Sequence, residues 1–170
     1  MTRSFARLAL AAGCLAAATA AAHGDEARFL RSLEGNWAGK GKVKVRIAAP
    51  VINVSCKFKS DTTSKALSLD GSCRGLLVFS RKIGAELKVK GGRYTGTYVG
   101  AGTGPSRLSG TRTGNAINLA IRWAKNVNGD RDAQLTVEKN GENGMRLITT
   151  DIDLKTGKSV VTSAIDLHRT

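Results

Sequence analysis

The sequence predicts an all-β fold: an antiparallel meander closed into a barrel of about eight to ten strands, with a short helix near its start. Three observations predict it. Turn signals recur every eight to twelve residues or so, at Ala49-Pro50, Asp61-Thr62, Asp70-Gly71, Gly91-Gly92, Gly104-Pro105, Gly114-Asn115, Asn128-Gly129, Asn140-Gly141 and Thr156-Gly157. The segments between them alternate apolar and polar residues, which leaves one face dry and one wet. The mature chain also lacks the long helical periodicity that a parallel α/β sheet needs. A two-sheet sandwich satisfies the same pattern and is the structural alternative.

Residues 1–22 read as a secretory signal peptide. Arg3 and Arg7 precede a nearly unbroken Leu/Ala run from Leu8, which ends in Ala20-Ala21-Ala22 before His23. The run is too short and too alanine-rich for a membrane span. Leu10-Ala11-Ala12-Gly13-Cys14 also resembles a lipoprotein signal, with Cys14 as the acylated residue, but the small apolar run continues past Cys14 where lipoproteins turn polar. Residues 23–170 then form a single domain, periplasmic or secreted.

Loss of the leader removes Cys14 and leaves an even pair, Cys56 and Cys73. In an oxidising compartment that pair predicts a disulfide. The closed loop stabilises by about 3 kcal/mol on the chain-entropy model. There is no Cys-x-x-Cys and no nearby histidine, so the pair reads as a staple and not as redox chemistry.

The leader holds two of the 27 Lys and Arg residues and none of the 13 acids, so the formal charge falls from +14 to +12. Such an excess suggests an anionic neighbour. For an exported protein, nucleic acid is excluded in favour of lipid headgroups, lipopolysaccharide phosphates or an acidic protein, and a basic target is disfavoured.

Along the mature chain, Asp25 to Leu33 reads as one helix, with Asp25 as its cap and Phe29, Leu30 and Leu33 on one side. In the stretch that follows, Val43, Val45 and Ile47 alternate with Lys42, Lys44 and Arg46, the pattern of a half-buried strand. Its wet face is a basic stripe of Lys40, Lys42, Lys44 and Arg46, which Lys57 and Lys59 join if the first two strands pair. Neighbouring cations on one face repel, and an anionic partner relieves that repulsion. The same lysines also blunt strand edges in a protein with no such partner.

The later strands repeat the alternation. Ile52, Val54, Cys56 and Phe58 share a face, as do Ala85, Leu87 and Val89, then Ile117, Leu119, Ile121 and Trp123, then Ala133, Leu135 and Val137. Leu76-Leu77-Val78-Phe79 is continuous and reads as covered on both faces. The last segment puts Val161, Ser163, Ile165, Leu167 and Arg169 in one phase, with His168 facing out.

Gly35-Asn36-Trp37 at the head of the first strand resembles the Gly-x-Trp signature of calycin barrels, the lipocalin and avidin group. The resemblance implies a structural pairing of Arg169 with Trp37, because in that group a late basic residue packs across this tryptophan. A second likeness, to avidins, lies in Gly92-Arg93-Tyr94-Thr95-Gly96-Thr97-Tyr98 and in Leu119 to Asn126 with Trp123 inside it. It implies that Tyr98 and Trp123 are ligand-contacting aromatics. Avidins follow the first tryptophan with hydrogen-bonding side chains, whereas this chain has Ala38-Gly39-Lys40-Gly41, so the likeness extends to architecture and not to biotin. Periplasmic protease inhibitors are similar small disulfide-bearing barrels.

Little in the chain suggests catalysis. It has two histidines, His23 and His168, too few for a triad or a histidine metal site. Asp151-x-Asp153 puts two carboxylates on one strand face, read as solvated. Asp130 and Asp132 flank Arg131 after Asn128-Gly129, which reads as a hairpin and lacks the ligand spacing of a calcium loop. Gly100-Ala101-Gly102-Thr103-Gly104-Pro105 has no helix after it to hold phosphate and reads as a loop at a barrel mouth. The expectation is a non-enzymatic envelope protein without cofactor or metal, which binds an anionic component or acidic protein through Lys40, Lys42, Lys44, Arg46, Lys57 and Lys59. The alternatives are a carrier of a small apolar ligand inside the barrel, with Tyr98 and Trp123 as contacts, and an inhibitor-like barrel. An aromatic content of 5% weighs against the carrier, since ligand pockets favour aromatic linings.

Overall fold

The computed structural model describes residues 15–75 and 79–170, with side chains from Gly24 onward except that of Phe79. The leader expectation over residues 1–14, Cys14 included, and the run Leu76-Leu77-Val78 lie outside the described residues, as does the Phe79 side chain. One helix, α1 (Leu15–Ser32), precedes ten strands. They are β1 (Gly35–Val43), β2 (Ile52–Thr62), β3 (Ala66–Gly75), β4 (Phe79–Lys90), β5 (Arg93–Val99), β6 (Ser106–Thr113), β7 (Ala116–Val127), β8 (Asp130–Asn140), β9 (Gly144–Asp153) and β10 (Lys158–Arg169).

Each strand pairs antiparallel with its neighbour in sequence, and β1 pairs with β10 from Trp37 opposite Arg169 to Val43 opposite Ser163. That last pairing closes the sheet into a barrel and rules out the sandwich. The dry faces point inward, so Phe58, Leu67, Leu87, Leu119, Trp123, Leu135, Leu147 and Ile165 form one continuous buried interior. The hairpin at Asn128-Gly129 has φ of 58° and 109° at its two residues, the left-handed backbone that a two-residue hairpin demands. Cys56 and Cys73 lie directly opposite each other on β2 and β3 and form a disulfide on the buried face, with Cα atoms 4.1 Å apart. This is the chemistry of an oxidising environment. Among the described residues no helix is long and apolar enough to cross a membrane.

Four sequence expectations are corrected. Among the described residues α1 already runs from Leu15, so Asp25 lies inside it and pairs with Arg112 instead of capping it. Asp70-Gly71 sits in the middle of β3 and is not a turn. A Cβ at Gly71 would run into the Phe58 ring on β2, so this glycine serves close strand packing. β1 ends at Val43 and does not reach Ile47; Val43 stands opposite Ser163, where β10 bulges against β9. Lys44 N still donates to Thr162 O at 2.7 Å, after which the chain turns away through Arg46 to Ala49. The bulge also splits the phase of β10: Val161 faces out and Thr162 is buried.

Candidate functional site

The two ends of the barrel differ. At one end α1 lies across the opening, with Leu30 and Leu33 fully buried against the interior. Trp37 Nε1 donates to Leu33 O at 3.0 Å, and the Arg169 guanidinium lies 4.5 Å above the Trp37 ring. Arg169 also donates at 2.9 Å to Ser32 O, a carbonyl of the last helical turn that has no partner within the helix, and to Glu34 O just beyond the helix. Gly35 has φ +126°, and a Cβ there would strike Arg169 Nη1. The glycine of Gly-x-Trp is thus the residue that lets arginine reach the helix end. Further along the same end, Arg112 pairs with Asp25 and Glu26 and stacks 4.8 Å from the Phe29 ring, while Tyr94 Oη donates to Glu26. Burial, reinforced by Glu26, pushes the Tyr94 hydroxyl well above its ordinary range. The Lys139 ammonium, 5.6 Å from Trp37 on its way to the carbonyl of Glu142, is held below the usual lysine range by burial and then by the nearby Arg169 charge.

Among the described residues the other end is open. Behind it lies a cavity of about 500 Å3. Its wall is built from inward positions of the strands, among them Val54, Phe58, Leu69, Leu119, Leu135 and Met145. Tyr98 and Trp123 both line it, edge to face with ring centroids 5.9 Å apart. Burial raises the Tyr98 hydroxyl to about 12, against the opposing pull of the Arg81 charge. The mouth is formed by Lys44 and Val45 after β1, Arg81 on β4, Gly100 and Ala101 after β5, and Asn128 in the β7–β8 hairpin. Arg81 Nη1 donates to Gly100 O at 3.2 Å, and Ile47 N donates to Asn128 Oδ1 at 3.0 Å, so the mouth loops are tied to one another. The Gly100 to Pro105 loop therefore lies at a barrel mouth, as its composition predicts.

Three buried polar atoms face this interior with no hydrogen-bond partner among the described residues: Trp123 Nε1, Ser60 Oγ and Asp151 Oδ1. Asp151 was expected on a solvated face and is 3% exposed. Thr162 Oγ1 donates to its Oδ2 at 2.8 Å. Burial nevertheless lifts the carboxyl above the usual range, with the Thr162 and Asn128 side chains pulling the other way. Asp153 behaves differently: exposed to solvent, it accepts from Lys155 N and Thr156 in the turn after β9, and these bonds hold it low. The two carboxylates do not act as a pair. Asp130 accepts from the Asp132 backbone and Asp132 pairs with Arg122, which is the hairpin arrangement expected of them. The signal for Asp151 was present in β9, where buried Met145 and Leu147 set an inward phase that reaches Asp151 two steps on. Thr162 had no such signal, because a bulge puts it inside.

The basic stripe does not form as expected. Lys40 and Lys42 lie exposed on the outer face of β1, and Lys57 lies on the outer face of β2 opposite Ala38. Lys44 and Arg46 lie beyond the strand, Lys44 at the cavity mouth with its ammonium 3.4 Å from Ile47 O. Lys59 is paired with Asp61 at 3.0 Å, and Lys40 stands opposite Asp166. Four cations in a row on one strand are thus reduced to two.

The barrel is similar to the crystal structure of Rv2717c from M. tuberculosis, with a TM-score of 0.65 over 84% of this chain and 96% of that one. The likeness is one of fold. Sequence identity is 16%, and nothing about ligand or partner follows from it. No protein-family model matches the chain, and no curated protein matches it in sequence.

Proposed function

We propose that this protein is a non-enzymatic carrier that holds a small apolar ligand inside its barrel, with Tyr98 and Trp123 among the contacts. The observation that carries this reading is the cavity of about 500 Å3, walled by apolar side chains, covered by α1 at one end and open at the other. Small-molecule sites run from about 300 to 1,000 Å3, apolar with a few polar groups. Trp123 Nε1 and Ser60 Oγ are donors in want of an acceptor, and Asp151 Oδ1 is an acceptor in want of a donor. An unmet buried group costs about 1–3 kcal/mol, which a bound molecule with matching polar atoms relieves.

The compartment in this reading is extracytoplasmic, periplasmic or secreted, with residues 1–22 removed as a leader; the disulfide supports it. The architecture is read as calycin-like, supported by Gly35, Trp37 and Arg169 meeting where the last strand closes on the first. A second reading, binding of an anionic component through the outer wall, is favoured by the exposed group Lys40, Lys42 and Lys57.

Two measurements test the carrier. Native mass spectrometry of protein taken from its own compartment, then denatured, is expected to release close to one small apolar molecule per chain. A fluorescent apolar probe, N-phenyl-1-naphthylamine, is expected to bind the emptied wild type, and Tyr98→Ala and Trp123→Ala weaken it. Ala85 lines the cavity, so Ala85→Trp fills the space and abolishes binding while the barrel stays folded. Undiminished probe binding by folded Ala85→Trp would sink the reading.

A further inference from the structure

The large apolar side chains exposed among the described residues are Val45, Val51, Val99, Ile152, Leu154 and Val161. All six lie at one end of the barrel. Val45 and Val51 are in the β1–β2 connection, Val99 ends β5, Ile152 and Leu154 flank the end of β9, and Val161 lies near the start of β10. That is the open end, and Val45, 61% exposed, also lines the cavity itself. The helix-covered end has none among the described residues. A ring of this kind around an opening is unlike a scatter of single exposed residues, which needs no explanation.

The charge of the same end is predominantly positive. Its described connections, residues 44–51, 100–105, 128–129 and 154–157, carry Lys44, Arg46 and Lys155 and no acid. On the flanking strand ends, exposed Lys125, Arg131 and Lys158 stand beside Asp130, Asp153 and Asp132, the last of these paired with Arg122, so cations remain in excess. Apolar residues that enter the acyl boundary together with cations that meet anionic headgroups are the two signals that hold a protein on a membrane surface. A second copy of the chain fits poorly, because two mouths would bring like charges together.

We propose that the barrel docks mouth-first on an anionic lipid bilayer, through Val45, Val51 and Leu154 inserted at the interface and Arg46, Lys155 and Lys158 on the headgroups. The docked cavity then opens toward the phase that dissolves apolar molecules. The proposal is independent of the carrier reading: flotation reads docking and probe fluorescence reads cargo, so either fails without the other.

The test is flotation of the folded protein with phosphatidylcholine vesicles and with vesicles that also contain phosphatidylglycerol. Wild type is expected to float with the anionic vesicles only. Arg46→Gln with Lys155→Gln weakens this by roughly 30-fold, at about 1 kcal/mol per cation near such a surface. Val45→Ser with Leu154→Ser weakens it by at least about tenfold through lost interfacial burial. These side chains are exposed, so thermal melting of both variants stays at wild-type values. Lys40→Gln with Lys42→Gln and Lys57→Gln, on the barrel wall, leaves flotation unchanged. Loss of flotation in the wall variant with retention in the rim variants would transfer the site to the strand face and overturn the proposal. So would failure of wild type to float, an apolar-rim variant that binds as wild type does, or a mouth-to-mouth dimer in sedimentation.

Discussion

Asp151 is a carboxyl that the barrel buries without a cation, in a chain with two bases for every acid. Its folded-state pKa is raised above the ordinary value of 3.8, chiefly by burial, with Asp130 adding to the rise and Thr162 and Asn128 opposing it; Lys44 and Arg81 are the bases that share its cavity. A group raised in this way favours the fold while it is protonated. Its contribution is complete below the unfolded pKa and is lost as pH rises through the folded one. Asp151→Asn is therefore expected to raise the urea midpoint of the empty protein near neutrality and to flatten its pH dependence in the acid range, from about pH 4 upward. An unchanged difference between variant and wild type across that range would mean that the carboxyl titrates normally. Gly35 makes the opposite kind of residue: Gly35→Ala puts a methyl where Arg169 Nη1 now lies, at a φ that L residues avoid. That strain outweighs the up to about 1 kcal/mol that alanine gains by stiffening the unfolded chain, so a net loss of stability is expected in thermal melts. Glycine's place in Gly-x-Trp was legible in the sequence, but the reason for it required the arginine to be seen in space.

At the scale of elements, the described side chains of α1 and its end are held to the barrel by a short set of groups. Leu30, Leu33 and Phe29 supply the apolar contact, Glu26 and Asp25 meet Arg112, and Arg169 satisfies the helix end. Removing the guanidinium in Arg169→Ala strands those carbonyls and the face of Trp37. A loss of about 1–3 kcal/mol in urea unfolding follows, with faster amide exchange in α1 than in the strands. If exchange rises evenly over the whole barrel, Arg169 supports the seam and not the helix. Strands were the legible elements, since the period of two in β2, β4, β7 and β8 matches the observed inward faces residue by residue. Element ends were less so. β1 stops opposite Ser163, at the point where β10, a partner more than a hundred residues away, bulges against β9. Local pattern has no access to an event of that kind.

For the molecule as a whole, the disulfide joins neighbouring strands with a sequence separation of 17, so its removal in Cys56→Ala with Cys73→Ala is expected to cost about 3 kcal/mol. Urea unfolding checks it, and a variant as stable as wild type would mean that the packing of Phe58 and Leu69 alone fixes the pair. The closed sheet was legible from turn spacing and alternation, whereas the cavity was not. Whether a barrel is full depends on how side-chain volumes sum across strands far apart in sequence, which no local pattern reports. The exposed valines and leucine at the mouth were equally hidden, because only closure brings their loops to one end. Closure has a further consequence in time. The first strand of this barrel finds its second partner in the last strand, and Thr170 N bonds to Asn36 O across the same join. A chain made from its N-terminus thus waits, with β1 half-paired, until β10 arrives, and until then there is no interior in which to hold anything.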